Sequence, residues 1–180
     1  MRKAAPANLE GIVHGVEFDP GEVARVGDIA PDFELPVLLS GVKGMLRLRD
    51  ELNFKNVVLA FYPGNWDEVS AQQMREYQAQ RDELRARGVE AIGICVDSIM
   101  NTTVWERTIG PFDFPICSDF WPHGAVGRAY GVLRWQGPEQ GKCERAIVVV
   151  SRAGRIAFRR VYGDRLVPPI GETWEALRNL

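Results

Sequence analysis

The 180-residue chain has little of several things, and each shortage excludes a class of function. It has three cysteines, Cys95, Cys117 and Cys143. The number is odd and no two form a CxxC pair, which argues against a disulfide framework or a zinc site. It has two histidines, His14 and His123. Both are read as loop residues without a metal role, and no metal or cofactor is expected. No stretch approaches the roughly 18 apolar residues needed to span a bilayer. The first residues, MRKAAPANLEGIVHG, have a basic start but no sustained apolar stretch, so no secretory signal is read there and a cytoplasmic location is the default. Excess charge is also missing. With 22 Lys and Arg against 24 Asp and Glu, the formal net charge is −2. No global field therefore recruits nucleic acid or an anionic membrane.

What remains is a globular composition, 46% hydrophobic and 26% charged, sufficient for one domain with a core of ordinary size. Residues 1–26 read as an extension with a short hairpin: Ile12-Val13 and Val16-Glu17-Phe18 are strand-like, and Asp19-Pro20-Gly21 is a turn signal. Pro31 and Pro36 bracket an extended piece, 32–35. Residues 45–48 alternate apolar and basic, as a half-buried strand does. Residues 57–62 are a continuous apolar run of strand length, the pattern of a central strand buried on both faces. Pro63-Gly64 ends it. A helix to about Arg87 follows, with Met74, Tyr77 and Leu84 on one face, and Gly88 marks its end. Arg81, Arg85 and Arg87 on that helix read as a solvated face.

A second apolar strand covers 89–96, and a weaker helix 100–108. A short strand follows at 114–117, then one or two helical turns at 124–130. Residues 145–151 and 156–161 are strands joined by the tight turn Arg152-Ala153-Gly154-Arg155. Residues 171–180 close the chain as a helix. Parallel strands with crossover helices, followed by an antiparallel pair, predict a central mixed sheet with helices on both faces.

Five ordered motifs in this chain resemble the peroxiredoxins, the alkyl hydroperoxide reductase/thiol-specific antioxidant family. They are the stretch 27–35 (GDIAPDFEL), Phe61-Tyr62-Pro63 with Ser70 seven residues on, the stretch 93–98 (GICVDS), Ser118-Asp119 with 124–126 and 130–132, and the strand 145–149 (RAIVV). The resemblance covers residues 27 to about 162. It implies a thioredoxin-like α/β fold; with the N-terminal β extension read above, and a closing helix that lies beyond the resemblance, the domain itself is taken as 27–180. It further implies a thiol-peroxidase site in which Pro63 shields the nucleophile and Arg145 lowers its pKa. The partners implied are a small hydroperoxide or other small anionic ligand, a thiol reductant, and a second copy in a homodimer.

Three positions depart from the family pattern. Asp67 stands where the family has Thr or Ser, Ser70 where it has the peroxidatic cysteine, and Gln73 where Glu is commonest. Peroxide reduction needs a soft thiolate, which a helix N-terminus and a nearby Arg bring within reach of neutral pH. Those two aids do not populate an alkoxide, and a serine nucleophile needs a general base. Neither histidine is placed at Ser70 by spacing. Ser70 therefore has three readings: a structural residue of the helix start, a Cys-to-Ser replacement that silences the site, or a nucleophile in its own right. Asp67, one helical turn earlier, reads as a cap or first-turn acid. On each reading the chain as written has little thiol-peroxidase activity, and the alternative is a ligand-binding, regulatory or dimerisation module on the same scaffold.

Of the cysteines, Cys95 and Cys117 read as buried and inert. Cys143, in a polar loop beside Lys142, reads as the candidate reactive thiol. Trp66, Phe120 and Trp121 are expected to form an apolar wall beside the site or part of an interface.

Overall fold

A computed structural model describes residues 23–180. The hairpin expected within the N-terminal extension lies outside the described residues. In chain order the elements are β1 (Glu34–Leu39), β2 (Val42–Arg47), α1 (Leu48–Leu52), β3 (Asn56–Phe61), α2 (Glu68–Ala86), β4 (Val89–Cys95), α3 (Ile99–Ile109), β5 (Ile116–Ser118), α4 (Ala125–Ala129), β6 (Arg145–Val150), β7 (Ile156–Tyr162) and α5 (Ile170–Arg178). The seven strands form one sheet in the order β2-β1-β5-β4-β3-β6-β7. β3, β4 and β5 run parallel, while β1 joins β5, and β6 joins β3, antiparallel.

The continuous apolar run becomes the middle of the sheet because both of its faces are covered. Val57, Leu59 and Phe61 pack on one side with Leu48, Val126 and Tyr130. Val58, Ala60 and Tyr62 pack on the other with Met74, Tyr77, Trp105 and Ala176. With no face left for water, alternation would have cost burial, so none is present. Gly93 on β4 is what lets α2 lie this close: a Cβ there would meet Met74 Sδ at 2.9 Å. α2 ends as its sequence predicts, with Gly88 at φ +68°, a backbone conformation that suits glycine.

Several boundaries differ from the sequence expectation. The alternating piece at 45–48 belongs to β2, but Leu48 leaves the strand and opens α1, where it is buried. The strand expected at 114–117 is displaced to Ile116–Ser118. Pro115 has no N–H for the ladder, and its carbonyl instead accepts from Gly93 N at 2.9 Å. The arginine face of α2 is only partly solvated. Arg85 donates to the buried Glu90 at 3.0 Å, and both Arg81 and Arg85 donate to the Asp113 carbonyl. Arg87 alone of the three stays out in water, over Trp174 and beside Glu83.

One strand pairing places the site. β6 pairs antiparallel with β3 so that Ala146 faces Phe61. The first residue of β6, Arg145, therefore sits beside the point where the chain leaves β3 for α2.

Candidate functional site

The loop between β3 and α2 is held from below by one asparagine. Asn65 accepts from Tyr62 Oη at 3.1 Å and donates through Nδ2 to Asn101 Oδ1 (3.0 Å) and Thr102 Oγ1 (3.1 Å). Its backbone N–H donates to Asp97 Oδ2 at 2.6 Å. The side chain is buried and all of its polar capacity is used. Trp66, in the left-handed region at φ +64°, is tied to the same Asn101 Oδ1 at 2.9 Å. A loop pinned to α3 in this way presents Asp67 as the N-cap of α2.

Asp67 does more than cap. Its Oδ2 accepts from Ser70 N at 2.7 Å, from Ser70 Oγ at 2.7 Å and from Arg145 Nη2 at 2.8 Å. Arg145 also donates through Nη1 to Gln73 Oε1 at 2.7 Å and through Nη2 to the Asp164 carbonyl at 3.2 Å. Nη1 and Nη2 each lie 3.4 Å from Ser70 Oγ. Ser70 and Arg145 are fully buried, while the Asp67 side chain keeps 43% of its surface. Burial pushes the Asp67 carboxyl up, but the hydrogen bonds from Ser70 and Arg145 outweigh it and hold the group below the usual carboxylate range. Burial draws the Arg145 guanidinium down from its ordinary value, and the facing carboxylate partly offsets this.

Above this cluster lies a cavity of about 900 Å³. Its lining is mixed: Pro63, Val69, Val96 and Phe120 are apolar, while Asp67 and Arg145 border it together with other polar residues, among them Asp97, Arg134, Lys142 and Asp164. Ser70 does not border it. The hydroxyl lies behind the carboxylate of Asp67.

The AhpC/TSA family pattern matches residues 26–159. Alkyl hydroperoxide reductase E of Mycobacterium tuberculosis (strain H37Rv) is 35% identical over 134 residues, 74% of this chain and 83% of that protein. The selenocysteine-containing peroxiredoxin PrxU of Peptoclostridium acidaminophilum is 33% identical over 165 residues, 88% and 76% of the two chains. The reduced 2-Cys peroxiredoxin of Plasmodium vivax superposes with a TM-score of 0.78 at 23% identity, over 85% of this chain and 80% of that one. The chain belongs to the AhpC/TSA family. Its fold is the thioredoxin-like fold of the peroxiredoxins, and its membership supports an antioxidant oxidoreductase function of the thiol-peroxidase class.

In this AhpC/TSA chain, four of the residues singled out in the sequence come together: Pro63, Asp67, Ser70 and Arg145. Cys143 does not join them, and the expectation of a reactive thiol there is corrected. Its side chain is fully buried, and burial, then the nearby Asp119 carboxyl, push the thiol well above its ordinary range. Lys142 pairs with Glu139 instead of activating it. The residue looked like a loop cysteine because its neighbours are polar; an isolated bridge between Leu133 and Cys143 folds that loop back on itself and turns the sulfur inward. Cys95 and Cys117 are buried as expected, Cys95 with its thiol pushed up to about 12 by burial.

The aromatic wall is only partly present. Phe120 lines the cavity, whereas Trp66 and Trp121 are exposed and do not border it. Two contributors had no signal in the sequence. The Asp164 carbonyl is a backbone acceptor, which any residue type supplies. Asn65 reads as a turn residue, and only the fold shows that it reaches α3.

Proposed function

We propose that this chain is a peroxiredoxin-type protein in which Ser70 stands at the position of the peroxidatic cysteine, and that it holds a small anionic group at this site instead of reducing hydroperoxides there. In the thiol reaction a thiolate attacks one peroxide oxygen, the O–O bond breaks, the alkoxide leaving group takes a proton, and sulfur carries the oxygen away as a sulfenic acid. A serine oxygen has no such product. The observation that carries the reading is the convergence of Ser70 N, Ser70 Oγ and Arg145 Nη2 on Asp67 Oδ2. The positive groups that would favour a thiolate already have a resident carboxylate.

The same observation favours a native serine over a replaced cysteine. A thiolate at position 70 would lie against the Asp67 carboxylate, two like charges in contact, and each would oppose ionisation of the other. Serine instead donates to that carboxylate.

Homodimer formation, a cytoplasmic setting and a small anionic ligand are part of this proposal. If a thiol reductant also belongs to the protein, it acts elsewhere than on Ser70. A coupled hydroperoxide-consumption assay of the chain, Ser70→Cys and Asp67→Thr/Ser70→Cys is the functional test. The expected order is no measurable activity, little activity, and clear activity. Robust turnover by the chain as it stands would end the proposal.

A further inference from the structure

Three donors meeting on one oxygen is the arrangement of an oxyanion site, and here its occupant is part of the chain. Two of the three donors are fixed independently of that occupant. Arg145 is fully buried on β6 and is also held by Gln73 Oε1 and the Asp164 carbonyl. Among the described residues its Nε has no hydrogen-bond partner, nor has the buried Gln73 Nε2. Ser70 N belongs to the first turn of α2. Removing the carboxylate would leave a buried cation and two N–H or O–H donors in place, a strongly unfavourable state unless another anion enters. The occupant itself is the least fixed member, with its side chain 43% exposed at the edge of the cavity.

The cavity restricts what such an anion is. Pro63, Val69, Val96 and Phe120 accept a short apolar tail. Asp97, Glu139 and Asp164 border the space along with Arg134, Lys142 and Arg165, but Arg134 pairs with Asp164 and Lys142 with Glu139, so the buried cation that loss of Asp67 would leave is Arg145, which one negative charge neutralises.

We infer that Ser70 N, Ser70 Oγ and Arg145 Nη2 form a binding site for a small monocarboxylate, and that Asp67 is its built-in occupant, displaced only when an external carboxylate takes its place. This rests on the reading that the site holds an anion and not a thiolate. In the unaltered chain the ligand must compete with an intramolecular carboxylate at high effective concentration, so its affinity is weak.

The test is acetate binding, by calorimetry and by acetate-dependent thermal stabilisation, at constant ionic strength. It uses the full chain, Asp67→Ser and Asp67→Ser/Ser70→Ala, with sulfate as the dianion control. Serine keeps the helix cap, and Asp67→Gly, which costs a cap little, serves if the first variant does not fold. The inference expects the Asp67 variant to bind acetate at least roughly tenfold more tightly than the unaltered chain, about the worth of one charge-assisted hydrogen bond. It expects the added Ser70→Ala to weaken that binding, and sulfate to bind less well than acetate. A folded Asp67 variant that binds acetate no better than the unaltered chain, or that prefers sulfate, overturns it. The assay contains no engineered thiol. Acetate binding without any peroxidase gain in the position-70 cysteine variants would sink the peroxidase-site reading and leave this site standing.

Discussion

Arg145 Nη2 and Asp67 Oδ2 lie 2.8 Å apart, and the two residues differ sharply in freedom: the guanidinium is fully buried and the carboxylate side chain is 43% exposed. Breaking the pair from either side is therefore not equivalent. Asp67→Ala strands a buried cation, which for a fully buried pair costs about 3–5 kcal/mol. The exposure of Asp67 and the remaining bonds from Gln73 and Asp164 reduce this, so a loss of about 1–3 kcal/mol in urea unfolding is expected. Arg145→Ala also removes a large packed side chain and should cost more than Asp67→Ala. Equal losses would mean that the pair, and not the buried arginine, carries the effect.

The same pair has an acid limit. Asp67 has a folded-state pKa below its ordinary value, so above that ordinary value its ionised form contributes fully to stability. The contribution fades as pH falls below about 4, the range in which an unfolded Asp takes up its proton. The stability gap between the unaltered chain and Asp67→Asn should be constant from pH 5 to 7 and narrow below about pH 4. A gap that widens on acidification contradicts the assignment.

Asp119 predicts the opposite slope at higher pH. It is buried, accepts from Val126 N and Gly127 N, and burial pushes its carboxyl from 3.8 up to about 7. Between those values the folded chain keeps a proton that the unfolded chain has released, so stability falls as pH rises through this window and levels off above it. Asp119→Asn should flatten the slope of unfolding free energy between pH 4 and 7. An unchanged slope would show that the backbone donors keep Asp119 ionised in the folded state.

All three cysteines are buried and free. Ellman's reagent should find no rapidly reacting thiol in the native chain and three after unfolding in guanidinium. One fast thiol under native conditions would restore Cys143 as a reactive group.

Much of this was legible in the sequence, for physical reasons that vary by residue. The run 57–62 announced a central strand because burial on both faces leaves no alternation to misread. Gly88 and Asp67 marked the ends of α2 because helix termini leave unpaired backbone groups that few residue types serve well. Arg145, Asp67, Ser70 and Gln73 are all marked by the motifs, but the remaining partner of Arg145 is not. That contact, with the Asp164 carbonyl, depends on backbone alone. Cys143 was misjudged because local polarity says nothing of which way a side chain turns when a loop folds back. The short α1 was missed because five residues carry too little periodicity to distinguish a helical turn from the end of a strand.

The central claim is that Asp67 has taken the place of the anion that this kind of site otherwise stabilises. The most direct measurement is the pKa of a cysteine introduced at position 70, read from the pH dependence of its alkylation rate, with Asp67 present and with Asp67 replaced by Thr. A free thiol titrates near about 8.5. The account predicts that Ser70→Cys titrates at or above that value, and that Asp67→Thr/Ser70→Cys falls well below it. A strongly lowered pKa in Ser70→Cys with Asp67 still in place would contradict it.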